Sequence, residues 1–347
     1  MTTQALSKSK NTARFLGSRA LLLPGLLVCI ILLVLALLWS ITLGAANITP
    51  QVVYEALLNF DSTQFNHLII QTVRLPRVLS GAIVGASLAV AGAMMQGLTR
   101  NPLADSGLLG INSGAAFAVV MAVFILGDPP LSVYAFFGFI GAGIAAALVY
   151  GLGSMGRGGA TPLRLTLAGI ILTSFISAFT TAILIGDQQT LDKIRFWTAG
   201  SLAGREMPLL TQTAPYMIIG LIGAMLISRQ ITTMSLGDDV AKGLGQNTLW
   251  VRIVAAIIVV LLAGGAVALA GPIGFVGLVI PHVVRFVVGT DYRWIIPYSA
   301  LMGAMLVTVG DVGARIIIRP QELPVGVVMA FVGAPFFIGL ARWKVTR

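Results

Sequence analysis

The chain has 347 residues, of which 57% are hydrophobic and only 10% are charged. A soluble domain carries about 25% charged residues, so these proportions exclude an ordinary soluble domain and predict a polytopic membrane protein. The net charge of +10 would suggest nucleic-acid binding in a soluble protein, whereas in a membrane protein it reports orientation. The single cysteine, Cys29, excludes an intrachain disulfide, and no Cys/His spacing is typical of a metal site. We therefore expect neither a metal nor a nucleic-acid partner.

Ten apolar runs follow one another along the chain. Several of them are close to the roughly twenty residues that a helix needs to cross a membrane. The first run is longer than the core of a signal peptide, about 7–15 residues, which favours a retained first span over a cleaved signal. The expected fold is therefore an all-α polytopic membrane protein with ten transmembrane helices. The runs are 20–39, 78–98, 112–127, 133–153, 165–186, 209–228, 250–270, 274–289, 295–317 and 325–341.

The basic residues predict how these spans are oriented. An even number of spans places both termini on one side, and roughly two thirds of the Lys and Arg residues fall in segments on that side, as the positive-inside rule requires of the cytoplasm. We expect a cytoplasmic tail at 1–19, one transmembrane domain at 20–342 and a short cytoplasmic tail at 343–347.

A weak internal repeat divides the transmembrane domain. ASLAVAG at 86–92, in the second span, is echoed by GAVALAG at 265–271, in the seventh. An offset of five spans makes the two copies run in opposite directions, which is typical of an inverted-topology repeat. The expected fold therefore contains inverted five-helix repeats, in halves at about 20–186 and 209–342.

The longest polar interruption of the chain is the segment 229–252, which the topology places in the cytoplasm. Its middle predicts a short helix, with Ser235 or Gly237 as the cap and two aspartates in the first turn, where the helix dipole favours anions. Two glycines end it. An ordinary solvated loop is the alternative interpretation. The predicted helix comprises Ser235, Leu236, Gly237, Asp238, Asp239, Val240, Ala241, Lys242, Gly243, Leu244 and Gly245.

Five blocks occur in order along the chain and carry a family resemblance: RLPR at 74–77, NPLA at 101–104, LGDDVAKGLG at 236–245, GFVGLVIPH at 274–282 and ELPVGV at 322–327. Together they resemble the FecCD family over about residues 20–342. These proteins are permease subunits of bacterial ABC importers for ferric siderophores, haem and cobalamin. The resemblance implies a multi-pass protein of the bacterial inner membrane that forms half of a translocation pathway and is not itself an enzyme.

The resemblance also implies the partners. They are two ATPase subunits, a second permease subunit that is identical or related, and an extracytoplasmic binding protein that delivers the ligand. Overall likeness favours a ferric siderophore as the ligand, with cobalamin and haem left open. The chain has no Gly-x-x-x-x-Gly-Lys-Ser/Thr phosphate loop. ATP and Mg²⁺ are therefore expected on the ATPase subunits, and no cofactor on this chain.

Three sets of site residues follow from the resemblance. The helix at 235–245 matches the coupling helix that contacts the ATPase. Arginines at the positions of Arg74, Arg77 and Arg315 pair with glutamates on the docked binding protein; the alternatives are an i,i+4 pair between Arg315 and Asp311, and lipid headgroup contact for the other two. A cytoplasmic gate is implied at Thr161, Pro162 and Leu163. Related permeases often have small hydroxyl residues there, so the chemistry of this gate is left open.

The remaining conspicuous positions are interpreted as structural. Gly271, Pro272 and Gly274 interrupt an apolar run and predict a tight outer turn. Asn101 and Pro102 predict the end of a helix, and Pro281 beside His282 predicts packing. These residues complete the candidate list.

Two other classes of function are less consistent with the sequence. A secondary transporter driven by protons or sodium usually carries carboxylates inside its spans, and here Asp311 is the one candidate. An intramembrane enzyme would need a Ser/His pair, a metal cluster or an acidic dyad at one depth, and no such arrangement is evident.

Overall fold

The computed structural model describes residues 19–44, 48–155, 161–318 and 321–345, with the side chains of Leu108, Pro162 and 340–345 outside that description. The predicted N-terminal tail therefore lies almost wholly outside the described residues. Within the described ranges every regular element is helical. The α-helices are α1 Leu22–Thr42, α2 Pro50–Leu58, α3 Phe65–Ile69, α4 Leu75–Thr99, α5 Ile111–Leu126, α6 Leu131–Ser154, α7 Pro162–Gly186, α8 Gln188–Thr198, α9 Met207–Leu226, α10 Ser228–Ser235, α11 Asp238–Gly243, α12 Thr248–Val259, α13 Gly265–Ala270, α14 Val276–Val288, α15 Tyr292–Ile316 and α16 Val325–Val345.

The helices confirm the predicted all-α transmembrane fold. Among the described residues, 7 helical segments are long and apolar enough to cross a membrane, and three shorter apolar helices accompany them. Together they correspond one to one with the ten apolar runs of the sequence. Two π-helical segments, Ile70–Arg74 and Val260–Gly264, join α3 to α4 and α12 to α13 as continuous spans. Below, the outer and inner ends of the bundle are named after the predicted topology.

The helix α4 is the centre of the bundle and packs against α15, α14, α13 and α9. It can do so because small residues let its backbone approach its neighbours closely. A Cβ atom on Gly85 would lie 2.2 Å from the carbonyl oxygen of Gly303, and one on Gly92 would lie 2.0 Å from that of Gly277. Gly85 and Gly92 therefore serve the close packing of α4 against α15 and α14.

Two spans lie at the periphery. Only 6% of the hydrophobic window of α1 is buried, and the same fraction applies to α7. The helix α1 packs along α15, where the Tyr298 hydroxyl donates to the carbonyl oxygen of Leu22 at 2.7 Å. The helix α7 contacts α5 and α6 on one side. The opposite side of α7 is exposed among the described residues.

The structure corrects one predicted boundary in the polar segment. Instead of a single helix at 235–245, two short helices occur: Ser235 is the last residue of α10, and α11 begins at Asp238. The break falls at Gly237, whose φ of 124° lies in a region that favours glycine. The predicted end at the glycines is close to the observed end at Gly243.

Three short helices at the outer end were not predicted. They are α2, α3 and α8. Asp187 caps α8 by accepting a hydrogen bond from the backbone N–H of Thr190 at 3.1 Å. Their sequences are polar or short, so they lack the long apolar runs on which the prediction of spans rested.

Candidate functional sites at the two ends of the bundle

A buried cluster of ionic side chains at the outer end ties α4 and α15 to the segment that precedes α16. Arg77 forms ion pairs with Asp311 at 2.9 Å and with Glu322 at 2.7 Å. Arg315 also reaches Asp311, at 3.2 Å. The side chains of Arg315 and Asp311 are each only 4% exposed. Because both charges of such a pair are removed from water, each needs the other and further hydrogen bonds to be tolerated there.

Two of the arginines in this region hold the end of α1 through its free carbonyl groups. Arg74 Nη1 donates to the carbonyl oxygens of Ile41 at 2.6 Å and Thr42 at 2.9 Å. Arg315 donates to the carbonyl oxygen of Leu43 at 2.7 Å and to the Ser40 hydroxyl at 2.6 Å. The last carbonyls of a helix have no partner within it, so the guanidinium groups satisfy them.

The position of these arginines differs from the one predicted. Arg74, Arg77 and Arg315 were expected at the outer surface, but they are 5%, 8% and 6% exposed. The alternative i,i+4 pair between Arg315 and Asp311 is present. Direct contact with a docked binding protein stays a prediction. Because the three arginines are buried, a test of it must separate loss of docking from loss of folding.

We expect Arg77→Glu to destabilise the chain itself, because it places a third carboxylate beside Asp311 and Glu322. Removing one partner of a buried ion pair costs about 3–5 kcal/mol. The measurement is the yield of assembled complex, followed by binding-protein affinity at low and high salt. Arg195→Glu is the matched control, since Arg195 lies at the outer end with a side chain that is 60% exposed. Normal assembly with salt-dependent loss of docking would instead support the direct contact.

At the inner end, α11 and the leucines on either side of it present an apolar surface to solvent. Leu236, Val240 and Leu244 are 64%, 48% and 70% exposed. On the other side of the same helix Ala241 is fully buried. Asp238 forms an ion pair with Arg252, which lies in α12. The short helix is therefore fixed to the start of the seventh span, while its exposed side chains are available to another protein.

A hydrogen-bond network connects this region to the centre of the bundle. Arg285 donates to Gln96 at 2.6 Å and to the Tyr292 hydroxyl at 3.1 Å. The backbone N–H of Tyr292 donates to the Thr232 hydroxyl in α10 at 3.0 Å. These contacts join α4, α14, α15 and α10. Sequence reasoning missed the network because Gln96 and Arg285 are 189 positions apart, and Thr232 and Tyr292 are 60 apart, so no local pattern links them.

The predicted gate residues lie where α7 begins. The Thr161 side chain caps the helix by accepting from the backbone N–H of Arg164 at 3.4 Å. Pro162 occupies the first turn, where its missing N–H is tolerated. Leu163 is 69% exposed. The three residues thus form the start of a largely free helix, and their role as a gate stays a prediction.

The free side of α7 carries a row of small hydroxyl residues. Ser174, Ser177 and Thr181 are all exposed and follow a spacing of three and four residues, which places them on one face of the helix. They alternate with exposed apolar residues such as Phe175 and Phe179. Hydroxyl groups on a membrane helix can bond to their own backbone, to another helix or to water in a passage.

The glycine, proline and asparagine residues that were interpreted as structural lie in a turn, at a helix end and inside a packed helix. The chain leaves α13 at Gly271, whose φ is 75°, and turns through Pro272 and Gly274 before α14. The side chain of Asn101 accepts from the N–H of Leu103 at 3.0 Å just after α4 ends. Pro281 is buried inside α14 and does not interrupt it. It therefore serves packing rather than a helix break.

Comparison with known proteins identifies the family. The profile of the FecCD transport family matches residues 32–343. The chain belongs to this family. Among its relatives in the FecCD family, the iron(3+)-hydroxamate import system permease FhuB of Bacillus subtilis is 46% identical, with 95% of this chain and 85% of the relative covered. The ferric enterobactin permease FepD of Escherichia coli is 40% identical, with 94% of this chain and 96% of the relative covered.

A solved structure supports the same assignment at the level of the fold. A chain described as an inward-facing conformation of a metal-chelate type ABC transporter superimposes with a TM-score of 0.81 at 29% identity, covering 92% of this chain and 99% of that one. The FecCD-family sequence and the observed helices together establish a multi-pass membrane protein of the ABC importer permease type.

Proposed function

We propose that this chain forms one half of the translocation pathway of an ATP-driven importer for iron(III)-siderophore complexes. The observation that carries the proposal is the free side of α7. The span α7 is almost unburied and carries a row of hydroxyl groups. We assign this face of α7 to one wall of the passage. A second permease subunit, identical or related, supplies the opposite wall. The importer lies in the bacterial inner membrane, with both termini in the cytoplasm.

The inner end of the chain receives the ATPase subunits. The exposed side chain of Val240 on α11 and those of Leu236 and Leu244 beside it are suited to a hydrophobic groove on such a partner. The ion pair between Asp238 and Arg252 transmits a displacement of α11 to the seventh span. A binding protein delivers the ligand at the outer end.

The choice of substrate rests on the relatives. FhuB is described as a permease for iron(3+)-hydroxamate and FepD as one for ferric enterobactin. Both ligands are iron(III) chelates of oxygen donors. A hemin permease, HmuU of Yersinia pestis, is 37% identical, which leaves haem, like cobalamin, as an outcome of the test.

An ion-coupled secondary transporter is less consistent with the structure. Within the described residues, Asp311 is buried in the outer ion cluster with two arginines, so it is not free to bind and release a proton or sodium ion inside the membrane. The deciding experiment reconstitutes the complex in vesicles and measures uptake of ferric siderophores, haem and cobalamin. ATP-dependent uptake of a ferric siderophore supports the proposal; uptake driven by an ion gradient without ATP contradicts it.

We expect no ATP hydrolysis by the isolated chain and clear hydrolysis by its complex, because the sequence contains no phosphate loop. Phosphate release from purified protein is the measurement. A complex whose ATPase subunits lack the phosphate-loop lysine serves as the control and should be inactive. Hydrolysis by the isolated chain, at a rate unaffected by further purification, would disprove the assignment.

A further inference from the structure

Arg205 is a buried cation that differs from the other outer arginines. It lies in the loop between α8 and α9 and is only 5% exposed. Arg74, Arg77 and Arg315 each bond to carbonyl or carboxylate groups. Among the described residues, the buried Nε atom of Arg205 has no hydrogen-bond partner. Leaving such a group unsatisfied is unfavourable unless something else binds there.

The charge on Arg205 is present at neutral pH. Burial lowers the pKa of its guanidinium group to about 10, and repulsion from the positive charge of Arg77 contributes to this change. A pKa of about 10 still keeps the group protonated near pH 7. The outer end of the chain therefore holds a permanent positive charge that no carboxylate of the described residues neutralises through an ion pair.

Two cavities meet at Arg205. The first has a volume of about 660 Å³ and is walled on one side by the aromatic residues Tyr134, Phe196 and Trp197. Lys193 adds a second positive charge to it, and Asp128 and Glu322 also line it, although Glu322 is already bonded to Arg77. The second cavity, of about 530 Å³, is lined by Arg205, Arg77 and Gln71, and also by the carboxylate-bearing Glu206.

These features describe a binding site for a small molecule rather than a packing defect. Pockets for small ligands typically measure about 300–1,000 Å³ and combine aromatic walls with a few polar groups. An arginine at the base of such a pocket binds planar, anionic oxygen donors through its fork of N–H groups.

We propose that the cavity around Arg205 is the first binding site for an iron(III) chelate with anionic oxygen donors, and that Arg205 binds the anionic face of the chelate. This inference rests on the proposed function, because it presupposes that iron chelates are transported. The aromatic wall contacts the organic part of the ligand. Release of the chelate from its binding protein would thus be followed by capture at a positively charged site within the permease.

The test uses the complete importer in lipid nanodiscs without the binding protein. Equilibrium dialysis with radioactive iron measures two probes: a ferric tris-catecholate, which carries three negative charges, and an uncharged ferric trihydroxamate. We expect Arg205→Gln to weaken binding of the charged probe by about tenfold or more, as loss of a charge-assisted bond predicts, and to affect the neutral probe much less. Arg205→Lys should retain part of the affinity. Arg229→Gln is the control, because Arg229 is exposed at the opposite, inner end of the chain.

Three results would overturn the inference. They are unchanged binding of the charged probe in Arg205→Gln, equal loss of both probes, and no binding of the charged probe to the unmodified importer.

Affinity for the binding protein is measured in parallel. If Arg205→Gln reduces that affinity alone, the anion is a carboxylate of the docked protein, which also overturns the inference. Normal ATP-dependent chelate uptake alongside any of these results would leave the proposed function intact. Absence of such uptake would remove the function as well.

Discussion

Replacing Gly243 and Leu244 together with arginine is expected to detach the ATPase subunits while leaving the permease folded and inserted. No atom lies within 4 Å of a Cβ placed on Gly243, and Leu244 is 70% exposed, so neither change disturbs the chain itself. If α11 is covered by the ATPase, however, the new charges become buried without partners. An unpaired charge buried at an interface costs about 2–5 kcal/mol.

The measurement is paired, because loss of assembly and loss of coupling are different outcomes. Retention of the ATPase subunits on the membrane reports assembly, and ligand uptake in reconstituted vesicles reports coupling. Loss of assembly is the expected result, and hydrolysis without transport would also support a coupling role. Leu58→Arg, at a position of α2 that is 62% exposed, is the matched control. Normal assembly and normal uptake would mean that α11 is only a solvated segment.

Gly92→Ala is expected to be strongly destabilising, although it adds a single methyl group. That methyl would lie 2.0 Å from the carbonyl oxygen of Gly277 and close to its Cα, so α4 and α14 would have to separate. Overpacking usually costs about 1–3 kcal/mol when side chains can adjust. Here the obstacle is backbone, and we expect a larger loss of stability.

Gly151→Ala is the control, and it is expected to increase the stability of the protein. No atom of the described residues lies within 4 Å of a Cβ at Gly151 in α6, and alanine favours a helix over glycine by about 0.8–1 kcal/mol. Thermal unfolding in detergent, with the yield of monodisperse protein, compares the two variants. A Gly92→Ala protein as stable as Gly151→Ala would show that the close approach of α4 and α14 is not required.

The sequence by itself determined the features that depend on local composition. Ten apolar runs predicted the spans, since a span must satisfy its backbone internally and present hydrocarbon to lipid. Glycine and proline marked the turn at Gly271 and the end of α4 near Asn101, because these residues restrict or free the backbone locally. The ordered blocks of residues indicated the family, which the comparison confirmed.

What only the tertiary structure decided is which charged and polar side chains meet. The family resemblance assigned Arg74, Arg77 and Arg315 to binding-protein docking, but the sequence did not reveal the carbonyls and carboxylates that these arginines contact. For the same reason, the sequence did not reveal the buried charge of Arg205 or the hydrogen-bond network around Arg285. Partners such as Arg77 and Asp311 are more than two hundred residues apart, and their attraction acts only after the helices have packed. Helix formation is governed by neighbours along the chain, whereas the burial and pairing of a charge depend on neighbours in space.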